Sequence, residues 1–113
     1  MNIFFVGMGY MGSERLRAIC NLKKKNNINI LGFYDPKIKI IKVNKSSFRS
    51  KINLDKNFFT KNKIDLCIIS VPHNLTIKYS KIFLENFKKI NLLIEKPLGI
   101  NFLETKKIIN LKN

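Results

Sequence analysis

Apolar and polar positions fall in blocks along the chain, and the period changes from block to block. Asn2–Val6 (NIFFV) is a short apolar run of β type that stops at Gly7, and residues 10–25 carry helix formers, so the chain opens as strand, turn and helix. Residues 28–34 (INILGFY) read as a second strand, ended by Asp35 and Pro36, because proline lacks an N–H and disfavours a central ladder. Residues 38–43 (IKIIKV) alternate with period two and leave two readings open, a short strand or an extended connection. Residues 46–63 hold Phe48, Ile52, Leu54, Phe58 and Phe59 in no clean period, and no element is predicted there. Residues 65–71 (DLCIISV) form a continuous apolar run, as in a strand covered on both faces, and stop at Pro72. The period then becomes helical, with Leu75, Tyr79, Ile82, Phe83 and Phe87 on one face and Asn74 as cap. Residues 91–95 (NLLIE) predict another buried strand, and residues 101–111 a last helix with Phe102, Leu103, Ile108 and Ile109 inward.

Strands alternating with helices predict an α/β fold, a doubly wound and mainly parallel sheet with helices on both faces, in one domain spanning 1–113. In such sheets ligands lie at the C-terminal ends of the strands. All three prolines and four of the five glycines (Gly7, Gly9, Gly12 and Gly99) lie at or just beyond those ends.

Composition narrows the class. A 113-residue chain with 45% hydrophobic residues is long enough for one ordinary core and too apolar for disorder. No apolar run approaches the roughly 20 residues of a membrane span, and the start lacks the basic and small-residue marks of a secretory leader, so a soluble cytoplasmic protein is expected. Cys20 and Cys67 are too few for a disulfide framework and are expected to be reduced and buried; no metal site is expected. Twenty-two Lys and Arg against seven acids leave a net charge of +15, which would suit a nucleic-acid partner. The basic residues are spread, however: Lys23, Lys24 and Lys25 after one helix, Lys61 and Lys63 before a strand, Lys88 and Lys89 after another helix, Lys106, Lys107 and Lys112 near the end. Charge asymmetry alone supports steering and solubility, so a basic nucleic-acid-binding protein stays only an alternative.

The sharpest chemical signal is Gly7-Met8-Gly9-Tyr10-Met11-Gly12, a G-x-G-x-x-G run between the first strand and the first helix. Gly7 permits the tight turn, Gly9 lets backbone approach a pyrophosphate, and Gly12 lets the helix pack closely, with its N-terminus aimed at the anion. Asp35 follows about twenty residues past the last of these glycines, at the end of the second strand, where an acid receives the ribose hydroxyls of NAD. Its carboxylate would repel the 2′-phosphate of NADP, although Lys37 and Lys39 soften that preference. The competing reading is a turn-forming Asp before Pro36.

The glycine loop, Tyr34-Asp35-Pro36, the strand ending in Val71-Pro72, and Glu95-Lys96-Pro97-Leu98-Gly99, in this order, resemble the Gfo/Idh/MocA oxidoreductases over essentially the whole chain. The resemblance implies a Rossmann domain binding NAD or NADP, with cofactor contacts from the glycine loop, Asp35, Val71, Pro72, His73, Glu95 and Lys96. It implies Lys96 as the catalytic lysine beside nicotinamide and substrate, Glu95 as a cofactor-side contact, and Pro97 as the residue shaping their turn. It also implies hydride transfer to or from a hydroxyl-bearing carbon of a sugar, nucleotide sugar or cyclitol. An ammonium near that carbon can hydrogen-bond the hydroxyl and tune a neighbouring acid or base.

Departures from the family pattern matter too. After the Val-Pro pair the family carries a polar residue, often Asn, and three further on a histidine; here those places hold His73 and Thr76. His73 is the one histidine in the chain, and two roles stay open for it: contact with the nicotinamide ribose, or capping the helix with Asn74. The family's second domain holds substrate, supplies an Asp and a His, and drives homo-oligomerisation. The chain stops before that domain and before the sheet's last strand, so it is expected to be a fragment unable to turn over alone. A standalone dinucleotide-binding or sensor module is the alternative.

Overall fold

A computed structural model describes residues 1–23 and 26–111; Lys24, Lys25 and Lys112, named above at helix ends, lie outside the described residues. The elements in chain order are β1 (Asn2–Val6), α1 (Tyr10–Lys23), β2 (Asn29–Tyr34), β3 (Ile40–Val43), β4 (Ser46–Arg49), α2 (Lys56–Lys61), β5 (Leu66–Ile69), a 3-10 turn (His73–Leu75), α3 (Thr76–Asn86), β6 (Asn91–Ile94) and α4 (Phe102–Leu111). Four strands form one all-parallel sheet in the order β2-β1-β5-β6. The doubly wound Rossmann-type fold expected from the alternating blocks is the fold observed.

The apolar runs of β1 and β5 follow from their central position. Side chains alternate across a strand, and here both faces are covered, so neither set of positions can be polar. Phe4 and Val6 point to one face, where they meet Cys67, Ile69, Phe58, Tyr79 and Phe83 beneath α2 and α3. Ile3 and Phe5 point to the other, against Ile68, Phe33, Met8 and Leu16 beneath α1 and the β3–β4 hairpin. Phe83 is fully buried, its ring 5.9 Å from that of Phe4 and 5.6 Å from that of Phe59.

The stretch without a clean period resolves into two small elements. β3 and β4 pair antiparallel across a two-residue turn, with Asn44 at φ 56°, the left-handed conformation that this turn demands and that Asn tolerates. Residues 38–43 are thus a strand over their second part. The hairpin lies beside the edge of β2, where Lys51 N–H donates to Phe33 O at 2.8 Å. α2 is capped by Asp55, whose Oδ1 accepts from Phe58 N–H at 2.9 Å.

Four expectations are corrected, the first being Cys20, which is half-buried on α1 rather than buried. Asn74 does not cap α3: the chain enters that helix through the 3-10 turn, with Leu75 N–H donating to Pro72 O, and no side chain caps either segment. The strand at 91–95 is not buried: β6 is a sheet edge, and Leu93, on the α1 side beyond the reach of α1, is 45% exposed. On α4 only Ile108 turns fully inward, while Phe102, Leu103 and Ile109 are exposed, because the helix packs against α3 along a single narrow face. Among the described residues no helix is long and apolar enough to cross a membrane.

Candidate functional site

The C-terminal ends of four parallel strands bring the sequence-predicted residues to one edge. β1 delivers Gly7, β2 delivers Asp35, β5 delivers Ser70, Val71 and Pro72, and β6 delivers Glu95 and Lys96. Backbone bonds fix these ends to one another: Gly7 N–H to Tyr34 O at 2.9 Å, Ser70 N–H to Val6 O at 2.8 Å, and Glu95 N–H to Ile69 O at 3.1 Å.

The glycines of the loop divide into two kinds. Gly7 sits at φ +89°, and a Cβ there would lie 2.8 Å from the carbonyl carbon of Ser70. A Cβ on Gly12 would lie 3.0 Å from the carbonyl carbon of Gly7, with the oxygen closer still. Both positions are closed by packing. Gly9 is exposed and would meet nothing within 4 Å, so its lack of a side chain answers no need of the protein's own packing. Met8 between them turns its side chain into the core and offers the outside no side chain at all. Tyr10 and Met11, on the first turn of α1, are exposed.

Two cavities meet over Gly9. One, of about 350 Å³, lies toward β2 between Tyr34, Asp35, Ile38, Val71, Leu75 and Tyr79. Its walls are mostly apolar and aromatic, with Asp35, Lys37 and Ser70 as the polar side chains, and the Tyr34 and Tyr79 rings stand 6.1 Å apart. The second, of about 360 Å³, lies toward β6 and is more polar than the first, with Tyr10, His73, Glu95 and Lys96 at its rim. Gly9, Ser70, Val71 and Pro72 line both. The result is one trough, mostly apolar with Asp35 at one end and bearing Glu95 and Lys96 at the other, with an open backbone at its waist.

Asp35 serves the fold as well as the trough. Its Oδ2 accepts Met8 N–H at 2.8 Å, and its Oδ1 accepts Lys37 N–H at 2.8 Å and Ile38 N–H at 2.9 Å. The turn-forming role is therefore present, and the same carboxylate also ties the glycine loop to the end of β2. Burial pushes its pKa up, but the backbone N–H groups of Ile38, Met8 and Lys37, with the charge of Lys39, outweigh burial and hold the carboxyl below its ordinary value. A carboxylate offers about four acceptor positions, so Oδ2 keeps room for one ligand hydroxyl.

At the opposite end Glu95 Oε1 accepts from Arg15 Nε at 2.6 Å. Lys96, one residue on, is exposed, and among the described residues its ammonium forms no ion pair or hydrogen bond. His73 is exposed beside it; Thr76, at the family's histidine place, is buried at 2% exposure. Two groups escaped the sequence reading. Ser70 Oγ is buried without a hydrogen-bond partner at the floor of the trough, and Arg15 joins Glu95 across 80 residues. No local signal marks either. Among the described residues no cluster of three His, Cys, Asp or Glu side chains forms a metal site.

The family model described as the GFO_IDH_MocA oxidoreductase family, NAD-binding Rossmann fold, matches residues 1–113. The chain belongs to this NAD-binding oxidoreductase family. The residues present fit such a cofactor: the unfilled space at Gly9 suits close approach of a pyrophosphate, and Ser70, whose buried hydroxyl has no partner, lines both cavities together with Gly9. Solved structures agree on the fold. D-galactose-1-dehydrogenase from Rhizobium etli superposes with a TM-score of 0.72 at 18% identity, over 99% of this chain and 33% of that one. The WlbA dehydrogenase from Bordetella pertussis, in complex with NADH and UDP-GlcNAcA, gives 0.73 at 12% identity, over 97% and 32%. Biliverdin reductase from Synechocystis sp. PCC 6803, in complex with biliverdin and NADP+, gives 0.69 at 17% identity, over 98% and 34%. The chain thus spans about a third of the length of the structures it matches. No curated protein matches the sequence.

Proposed function

We propose that this family member holds NAD along the trough, with the adenosine half toward β2 and the nicotinamide half toward β6, for hydride exchange with a hydroxyl-bearing carbon. The observation that carries the reading is the junction of the two cavities over the empty space at Gly9, with Asp35 at one end and Glu95 and Lys96 at the other. In this arrangement the aromatic walls at Tyr34 and Tyr79 receive the adenine, and the free acceptor position of Asp35 receives a ribose hydroxyl. Backbone of the Gly7–Gly12 loop, including the N–H groups at the start of α1, faces the pyrophosphate, where the helix end favours an anion. Val71, Pro72 and His73 flank the nicotinamide riboside.

Bound NAD supplies the hydride-accepting ring. Lys96 supplies an ammonium with no competing partner, able to donate a hydrogen bond to the substrate hydroxyl and favour the oxyanion character that grows as hydride departs. Glu95 offers a second acceptor oxygen at the same rim. The charge of Asp35 favours NAD over NADP, and Lys37 and Lys39 reduce the discrimination. The substrate class that fits is a sugar, nucleotide sugar or cyclitol, supported by the sugar and nucleotide-sugar dehydrogenases among the structural neighbours and drawn by analogy from fold and family. The remaining acid and base groups, the substrate contacts and any homo-oligomeric contacts belong, on this reading, to a further domain. A second reading, dinucleotide holding without turnover, draws on Thr76, a buried hydroxyl at the place where the family pattern has a histidine.

Calorimetric titration with NADH and NADPH tests the proposal. NADH is expected to saturate one site and to bind more tightly than NADPH, and Asp35→Ala to weaken NADH and narrow the gap. Absence of saturable binding by the folded chain would overturn it.

A further inference from the structure

The ion pair at the β6 end of the trough has no part in the loop motif, and its position is informative. Arg15 lies on α1, one turn beyond Gly12, and Glu95 lies at the end of β6, immediately before Lys96. Among the described residues the pair is the one side-chain hydrogen bond between the first helix and this strand end, and it is short, 2.6 Å between Nε and Oε1. It is also solvent-accessible, with side-chain exposures of 43% for Arg15 and 21% for Glu95. An ion pair this accessible adds little to stability, so fold maintenance does not account well for it.

Geometry suggests another use. Glu95 is held twice, through its N–H to Ile69 O and through Oε1 to Arg15, which fixes both its backbone and the rotamer of its carboxylate. Only Oε1 is engaged, and Oε2 remains open as an acceptor at the rim shared with Lys96 and His73. A carboxylate bound to a guanidinium also competes less for the ammonium of Lys96. We infer that Arg15 is a positioning residue for the nicotinamide half of the site, acting through Glu95: it aims the carboxylate at the riboside and leaves Lys96 free for substrate. The inference rests on the dinucleotide reading above. Hydrogen bonding to Glu95 raises the pKa of the already cationic Arg15 guanidinium.

The test compares NADH with ADP, which carries the adenosine and both phosphates but no nicotinamide riboside, by calorimetry on the full chain. Arg15→Ala is expected to weaken NADH about fivefold, the factor one hydrogen bond is worth, and to leave ADP within about twofold. Arg15→Lys restores part of the loss. In a Glu95→Ala background, which removes the acceptor, Arg15→Ala has no further effect on NADH, which separates action through Glu95 from a general loosening of α1 and supplies a second route should the single variant fold poorly. The fluorescence of bound NADH, which reports the nicotinamide environment, shifts in Arg15→Ala. Equal weakening of NADH and ADP, or the same NADH loss in both backgrounds, would overturn the inference. If the unsubstituted chain binds ADP and NADH equally, the nicotinamide half is not held and the inference fails while the adenosine site stands; if it binds neither, the dinucleotide reading itself falls.

Discussion

Replacing Gly9 by alanine separates binding from folding more sharply than any other single change. A methyl group at Gly9 meets no protein atom within 4 Å. Two small terms then decide stability. Alanine orders the unfolded chain and gains about 0.4–1 kcal/mol, whereas at the start of α1 it is a poorer capping residue than glycine by a few tenths to about 1 kcal/mol. They nearly cancel, so the melting temperature is expected within about 4 °C of the parent. Gly12→Ala is the control: its methyl group would stand 3.0 Å from the Gly7 carbonyl carbon and closer to the oxygen. Relief requires the first turn of α1 to back away from the loop, at a typical overpacking cost of about 1–3 kcal/mol. That lowers melting by roughly 4–12 °C. Binding reverses the order of interest, because the space at Gly9 is where backbone must approach the pyrophosphate, and a methyl group there is expected to weaken NADH more than about tenfold. Circular-dichroism melts and calorimetric titration read both quantities. A Gly9→Ala chain that binds NADH like the parent, or one that melts as low as Gly12→Ala, would refute the reasoning.

Other consequences follow from the same structure. Because the folded Asp35 carboxyl lies below its ordinary value, its contribution is full above the unfolded pKa of about 3.9 and is lost as pH falls through the lower folded value; the stability gap between parent and Asp35→Ala, measured by urea unfolding, should shrink below about pH 4 and stay constant above it. Phe83→Ala, at a fully buried position ringed by Phe4, Phe59 and Phe87, should cost about 3–5 kcal/mol in the same assay. Phe102→Ala, at 77% exposure, should stay within about 0.5 kcal/mol. Burial raises the Cys67 thiol well above its ordinary pKa, and partial burial, opposed by Lys23, raises Cys20 less. A thiol reagent should therefore label Cys20 first in the native chain and Cys67 only on unfolding; equal rates would contradict the packing of β5.

The sheet was legible because its central strands are buried on both faces, which makes β1 and β5 continuous apolar runs that no helix period imitates. The hairpin and α2 were not. β3 and β4 have four residues each and lean one face on the edge of β2, so they carry too few apolar positions to reveal a period. α2 has six, fewer than two turns, and its clearest mark, Asp55 three residues before Phe58, is a capping signal without a periodic run behind it. α4 misled for the opposite reason: Phe102, Leu103, Ile108 and Ile109 look like an inward face, yet a helix beside an edge strand has only α3 to pack against. At the site, local backbone chemistry marks the glycine loop and Asp35 as candidates, whereas Glu95-Lys96-Pro97 stands out only through its resemblance to the family pattern. The second duty of Asp35, holding Met8 N–H across 27 residues, and the link from Arg15 to Glu95 are tertiary, and nothing in the neighbouring sequence encodes them.

The most direct measurement is residue-resolved amide NMR of the chain titrated with NADH. Shifts are expected along Gly7 to Gly12, at Asp35, from Val71 to His73, and at Glu95 and Lys96, all saturating with one affinity. Shifts confined to the lysines of the β3–β4 hairpin, or a response that leaves Gly9 and Lys96 unmoved, would contradict binding along the trough.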